Sequence, residues 1–202
     1  MKKIDSFCLS SYLAFRYVAK QDCEWLAGIE PEFPSLPGGE QIPVGDANEI
    51  LSTLKRMIAN IPDIDHTAIF LSGGIDSAIL AALLPEGSMA YTINFVSSTG
   101  DKEAERATKH AGTCGLGHCV VDVTWDDYKK YEEKLIINKK SPFHAVEVAL
   151  YKAASQAKEQ GIKSIVLGNG ADSTFGGLDK LLSRDWPFED FIKRYTFIMP
   201  ED

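Results

Sequence analysis

Ala68-Ile69-Phe70-Leu71-Ser72-Gly73-Gly74-Ile75-Asp76-Ser77-Ala78-Ile79-Leu80 is the stretch around which the chain is organised. Ala68 to Leu71 is a short apolar run and predicts a buried strand. Asp76 and Ser77 then open an apolar segment, Ala78 to Leu84, that predicts a helix. Between them stand two adjacent glycines, which let the backbone turn tightly and approach a ligand with no Cβ in the way. Loop amides and the first N–H groups of the helix would face one point, an arrangement suited to an anion such as phosphate. Ser72 and Ser77 add hydroxyls. Asp76 is the odd member, because a carboxylate repels phosphate, and it fits if Mg²⁺ lies between them.

No Gly-Lys-Ser/Thr follows at Walker A spacing, and the pattern is not Gly-x-Gly-x-x-Gly. Ser72-Gly73-Gly74-Ile75-Asp76-Ser77 resembles the pyrophosphate loop (PP-loop) of the ATP pyrophosphatases, which cleave ATP to AMP and pyrophosphate. The bland alternative is an ordinary glycine turn between a strand and a helix. Six matching positions in strand–loop–helix context favour the functional reading.

The rest of the chain sets bounds. Its 202 residues suffice for one domain with a sizeable core, and 45% hydrophobic with 25% charged residues is a globular composition. A net charge of −8 speaks against a nucleic-acid surface, which needs clustered Lys and Arg. No apolar run approaches the roughly 18 residues of a membrane span. Asp5, Ser10, Ser11 and Arg16 interrupt any signal-peptide core, so the expected location is the cytoplasm. Cys8, Cys23, Cys114 and Cys119 form no Cys-x-x-Cys pair and read as small, mostly buried apolar residues.

Residues 4–29 are apolar and aromatic with ambiguous periodicity. Residues 30–43 hold four of the nine prolines (Pro31, Pro34, Pro37 and Pro43) and read as an extended connector. This divides the chain into a segment over 1–45 and a domain over 46–202. Asp46 starts a helix, Glu49 completes a capping-box pattern, and Ile50, Leu54, Met57 and Ile58 lie on one face. Met89 to Phe95, His118 to Val123 and Ser164 to Leu167 read as three further strands. Between them come a helix capped by Asp101 with Ala104, Ala107 and Ala111 at helical spacing, and an amphipathic helix over Trp125 to Ile137. A third is opened by Ser141-Pro142, carries Phe143, Val146, Leu150, Ala153 and Ala157 on one stripe, and ends before Gly161. Alternating strands and helices imply an α/β fold: a doubly wound, mostly parallel sheet. Ligands of such sheets lie past the carboxyl ends of strands, so Gly73-Gly74 and Gly168-Asn169-Gly170 should open on one edge. Residues 186–195 place Phe188, Phe191, Ile192 and Tyr195 on one face. That face needs cover from this domain, from a second copy in a homo-oligomer, or from a further segment.

The second motif is Gly168-Asn169-Gly170-Ala171-Asp172-Ser173-Thr174-Phe175-Gly176-Gly177. The two motifs in order, with the strands between them, resemble the synthetase domain of glutamine-dependent asparagine synthetase and its relative β-lactam synthetase, over about residues 45 to 183. The resemblance implies an adenine nucleotide alpha hydrolase-like fold and an ATP-dependent, amide-forming ligase. A carboxylate would be activated as an acyl-adenylate, with ATP going to AMP and pyrophosphate, for attack by ammonia or an amine. It implies that Ser72, Gly73, Gly74, Asp76 and Ser77 hold the pyrophosphate end of ATP. Leu71, backbone around Ile93, and Gly168 would hold the adenosine, and Asp76 and Asp172 would bind Mg²⁺. A metal clamp with a helix N-terminus suits the charge that builds when an acyl oxygen attacks the α-phosphate.

This chain departs from that family. Asn169 stands where the family has a Glu, an acid or base during amine attack, and an amide cannot take that proton. Ser173 replaces the next Glu. The family continues well beyond this point and supplies a lysine from there, so the domain is expected to be short at its C-terminus. Residue 2 is Lys where the glutaminase half begins with a nucleophilic Cys. Nitrogen would come from ammonia, from a small amine, or from a separate glutaminase or second subunit. The alternative is a nucleotide-binding relative without full catalysis, acting as a regulatory or partner subunit. Bland roles remain open for single residues: Asp172 as the cap of a helix starting at Ser173, Asn169 as a turn residue, Asp101 and Glu105 as cap and surface charge. His110, His118 and His144 have no partner at ligand spacing and read as core or surface residues. Lys180 and Arg184, one turn apart, read as a solvated face.

Overall fold

The computed structural model describes residues 5–15, 44–96, 102–140 and 142–172, with isolated positions at 18, 24, 28, 185, 187, 189, 190 and 193. The connector over 30–43, Asp101, Ser141, Ser173 to Gly177, Lys180, Arg184 and the apolar-face residues Phe188, Phe191, Ile192 and Tyr195 lie outside the described residues. The chain forms two compact units. One comprises Ile42–Asp127 with Ala149–Leu178, the other Met1–Gln41, Tyr128–Val148 and Asp179–Asp202.

The larger unit is built on a four-stranded sheet. Its strands are β1 (Thr67–Phe70), β2 (Met89–Phe95), β3 (Gly117–Val123) and β4 (Ser164–Leu167), in the order β3-β2-β1-β4. Every neighbouring pair is parallel, with Phe70 opposite both Tyr91 and Leu167, and Phe95 opposite Val123. Two helices precede β1: α1 (Ser6–Phe15) and α2 (Ala47–Ala59). The helices α3 (Ile75–Ala81), α4 (Lys102–Thr113), α5 (Trp125–Lys139) and α6 (Ala145–Glu159) link the strands.

Period-2 alternation sends each strand's side chains into two cores. Ile69, Leu71 and Ala90 meet Ile58 of α2, Ala81 of α3, and Ala107 and Ala111 of α4. On the other side Ala68, Tyr91 and Val121 meet Ala153 and Ala157 of α6. The central strand β1 is therefore apolar on both faces, as a parallel strand covered twice by helices must be. Burial of a side chain such as Ile69, 0% exposed, contributes about 1.5–3 kcal/mol. The alanines of α4 and α6 let those helices lie close to the sheet. The expected doubly wound, parallel α/β fold is the one observed.

Helix starts differ from the sequence reading in detail. Asp46 caps α2 by accepting from the Asn48 and Glu49 N–H groups, but Glu49 reaches back to Gly45, one residue before the cap. Ile58 is buried and Ile50 and Leu54 are half-buried, whereas Met57 is 52% exposed and stands outside the buried stripe. The helix expected from Pro142 begins three residues later. His144 Nδ1 accepts from Val146 N–H, and the Glu147 carboxylate accepts from His144 N–H, so His144 and Glu147 cap α6. Val146 is exposed, and Val148 and Ala149 join Ala153 and Ala157 as the buried positions. At its far end Gly161 takes φ +87°, with bonds from Gly161 and Ile162 N–H to Lys158 and Ala157 carbonyls closing the helix.

In the smaller unit α1 buries Cys8 and Ser11, and the Tyr12 hydroxyl donates to the Phe143 carbonyl at 2.7 Å. Among the described residues no helix is long and apolar enough to cross a membrane.

Candidate functional site

The chain leaves β1 with both backbone groups of Leu71 committed. Its N–H donates to the Tyr91 carbonyl at 2.9 Å, and its carbonyl accepts the Thr92 hydroxyl at 2.7 Å. Ser72 and Ser77 then tie the loop to the first turn of α3. Ser72 N–H donates to Ser77 Oγ at 3.2 Å, the two hydroxyl oxygens lie 3.1 Å apart, and Ser77 donates to the Gly74 carbonyl at 3.2 Å. Gly74 N–H donates to Ser72 Oγ at 3.3 Å. Ser77 is 4% exposed, so its hydroxyl shapes the loop from inside.

The other amides of the loop are differently placed. Gly74 caps α3 without a side-chain hydrogen bond. Among the described residues the N–H groups of Gly73, Ile75, Asp76 and Ser77 have no protein acceptor. Four such donors in five residues at the start of a helix are the kind of arrangement that suits an anion. Asp76, half-buried in the first turn of α3, sits among them.

Two glycines bring other elements against this loop. Gly73 has φ +73°, and a Cβ there would stand 2.7 Å from the Glu103 carbonyl and 3.2 Å from the Ala107 nitrogen, so α4 lies directly on the loop. A Cβ on Gly168 would stand 3.0 Å from the Ser77 nitrogen and 3.3 Å from the Asp76 carbonyl carbon. The end of β4 thus rests on the first turn of α3. The two sequence motifs, about a hundred residues apart, meet because β4 lies beside β1 with Leu167 opposite Phe70. On one side of β1 the sheet continues to β2 and β3, and on the other to β4. The loops after β1 and β4 therefore flank the point where strand order reverses, the usual ligand crevice of open α/β sheets.

Asn169, on the loop after β4, and Asp172, just beyond it, are exposed. Ala171 and Asp172 are already helical, so Asp172 does not cap a helix starting at Ser173. Ile93 lies in β2 opposite Val121, with its side chain packed on the α6 side of the sheet. Among the described residues no group of three or more His, Cys, Asp or Glu side chains is placed to hold a metal by itself.

Two polar clusters were not singled out from the sequence. In one, His118 Nε2 lies 2.8 Å from Thr92 Oγ1 and His118 Nδ1 lies 3.3 Å from Thr108 Oγ1. His118 is half-buried, and burial pushes its pKa below the usual histidine value. In the other, at the carboxyl end of β3, Lys152 donates to Asp127 Oδ2 at 2.8 Å and to the Asp122 carbonyl at 2.7 Å. Asp127 also accepts from the Thr124 N–H and hydroxyl. Burial pulls the Asp127 carboxyl up, and these hydrogen bonds outweigh it and hold it below the usual range. The signals in the sequence were faint: a threonine inside an apolar strand, and a Thr-x-x-Asp at a helix start.

A parallel sheet with a glycine-rich loop at its switch point defines the class: a doubly wound α/β protein with its candidate site at the carboxyl ends of β1 and β4. The model of the family described as asparagine synthase matches residues 55–196. The chain belongs to that family. Amidase chry2 of Gibberella zeae is 28% identical over 166 residues, covering 69% of this chain and 23% of that protein. A candidate glutamine-hydrolysing asparagine synthetase of Methanocaldococcus jannaschii is 29% identical over 128 residues, covering 62% of this chain and 23% of that protein. The chain therefore spans about a quarter of the length of these curated relatives. The glutamine-dependent NAD+ synthetase of Acinetobacter baumannii, solved with ADP, superposes with a TM-score of 0.46 at 19% identity. That match covers 68% of this chain and 29% of the other.

Proposed function

We propose that this chain carries the ATP site of an AMP-forming amide ligase, in which a carboxylate is activated as an acyl-adenylate for attack by ammonia or an amine. The observation that carries the reading is the set of amides at Gly73, Ile75, Asp76 and Ser77 that have no protein acceptor among the described residues, on a loop against which Gly168 packs at the switch point. These amides would take the pyrophosphate end of ATP, and the Leu71 carbonyl, the Ile93 backbone and Gly168 would border the adenosine. Asp76 and Asp172 would contribute to a Mg²⁺ site. Mg²⁺ is commonly held by one or two carboxylates together with substrate phosphates, which fits a site with few carboxylates of its own. When bound, the ion would neutralise charge developing on the phosphates. The chain's own part is to fix the phosphates with oriented N–H groups, which cost no reorganisation when charge builds. The nitrogen donor would be ammonia, a small amine, or the product of a separate glutaminase.

Asn169 supports a second reading, a nucleotide-binding subunit without full catalysis. Its exposed amide occupies the place of an acid or base and can only hydrogen-bond.

Calorimetric titration of Mg²⁺ with a non-hydrolysable ATP analogue tests the site, on wild type and on Asp76→Asn. Metal-dependent binding that Asp76→Asn removes is expected, and no binding to folded wild type would refute the site. Incubation with Mg²⁺-ATP, aspartate and ammonia separates the readings. AMP and pyrophosphate support the ligase, ADP as the sole product rules out its mechanism, and binding without turnover of these substrates favours the subunit.

A further inference from the structure

Thr92 and His118 form a polar line through an otherwise apolar layer between the sheet and α4. Around them Ile69, Ala90, Ala107 and Ala111 are 0–1% exposed. The line runs from His118 Nε2 to Thr92 Oγ1 (2.8 Å) and ends on the Leu71 carbonyl (2.7 Å); Thr108, whose single proton goes to the Ala104 carbonyl (2.8 Å), has its oxygen 3.3 Å from His118 Nδ1 and stands outside the line. Proton counting sets its direction. The single Thr92 proton goes to Leu71, so Thr92 Oγ1 must accept from His118, which places the imidazole proton on Nε2. Burial keeps the ring in the neutral form that this tautomer describes.

The line ends on the carbonyl immediately before Ser72. Leu71 is held twice by consecutive residues of β2: its N–H by the Tyr91 carbonyl and its own carbonyl by the Thr92 hydroxyl. The next residue of β2 is Ile93, so the same link sets the spacing between Leu71 and the backbone at Ile93. Removing the Thr92 hydroxyl would strip a buried carbonyl of this partner and free that spacing, while the cradle formed by Gly73 to Ser77 keeps its own serine bonds.

We propose that Thr92 and His118 are positioning residues for the nucleoside end of the bound nucleotide, acting through the Leu71 carbonyl. This rests on the nucleotide reading given above. It distinguishes two parts of one site: the amide cradle for the phosphates, and a β1–β2 spacing, set by His118, for the nucleoside.

The test compares two probes, Mg²⁺ with a non-hydrolysable ATP analogue and Mg²⁺ with inorganic pyrophosphate, by calorimetry on the full chain. Thr92→Val and His118→Leu should weaken the ATP analogue about ten-fold and pyrophosphate less than about two-fold. Thr92→Ser and His118→Gln, which keep a donor in place, should stay within about three-fold of wild type for both. Folding is checked by circular dichroism, and if Thr92→Val does not fold, the two His118 variants carry the comparison. Equal loss for both probes, no loss for either, or unfolding of all the non-conservative variants would overturn the proposal. Binding of neither probe by wild type would remove the nucleotide reading and this inference together.

Discussion

Replacing Gly73 and Gly74 separately by alanine should give opposite results, although the two residues are adjacent. Gly73 has φ +73°, where an L-residue costs about 1–2 kcal/mol. Its new Cβ would also stand 2.7 Å from the Glu103 carbonyl and 3.1 Å from Arg106 Cβ, on a helix that would have to move. Forcing an extra carbon into such a contact costs about 1–3 kcal/mol. The sum, about 2–5 kcal/mol, corresponds to a loss in melting temperature on the order of 10 °C for a chain of this size. Gly74 sits at φ −85°, ψ 165°, an extended conformation open to any residue, and among the described residues its Cβ would meet nothing nearer than Ser72 Oγ at 3.4 Å. Alanine there restricts the unfolded chain and should change stability by no more than about 1 kcal/mol, toward stabilisation. Its methyl would border the amide cradle, so Gly74→Ala should keep the fold and weaken Mg²⁺-pyrophosphate. Thermal melts by circular dichroism and calorimetry measure the two effects. A Gly73→Ala protein melting within about 2 °C of wild type would show that α4 does not press on the loop, and the packing argument would fail.

Two more outcomes follow from contacts elsewhere in the larger unit. Gly168→Ala would place a Cβ 3.0 Å from the Ser77 nitrogen, so it should push the end of β4 off the first turn of α3, cost about 1–3 kcal/mol, and weaken the ATP analogue. Unchanged binding would mean that the loop after β4 takes no part in the site. Asp127, whose folded-state pKa is depressed, should contribute stability that is complete above the unfolded carboxylate value of about 3.9 and is lost as pH falls through the folded value. Because Lys152 is partly exposed, the contribution is about 1–2 kcal/mol, less than for a fully buried pair. The melting-temperature difference between wild type and Asp127→Asn should therefore shrink as pH drops from about 5 to about 2, and a difference that grows would reverse the sign argument.

The parts of the fold that were legible are those decided locally. Met89–Phe95 and Ser164–Leu167 have the boundaries read from the sequence, because each is a short, mostly apolar and β-branched or aromatic run with polar or glycine residues near each end. The start of α6 was not legible. Ser141-Pro142 has the residue types that usually open a helix, and a histidine at the cap with Glu147 behind it does not announce itself. Met57 and Val146 fall on helical spacing with buried neighbours yet are exposed, since spacing marks a stripe but not where its edge meets solvent.

The site shows the same division. The strand–loop–helix turn could be read directly, since its residue types over a few consecutive positions dictate it. What sets the cradle in place is contributed from far along the chain: the backbone of Glu103 to Ala107 over Gly73, Gly168 over the turn at Ser77, and Thr92 on Leu71. Alternation of strands and helices announces a parallel sheet but not its strand order. Had β4 been placed beyond β3, the same two motifs would lie at opposite ends of one edge, three strands apart at about 4.8 Å per strand, with no shared crevice. The insertion of β4 beside β1 is thus the step that turns two short motifs into one candidate site. It depends on long-range packing of Val166 and Ile165 into the two cores, which no local pattern records.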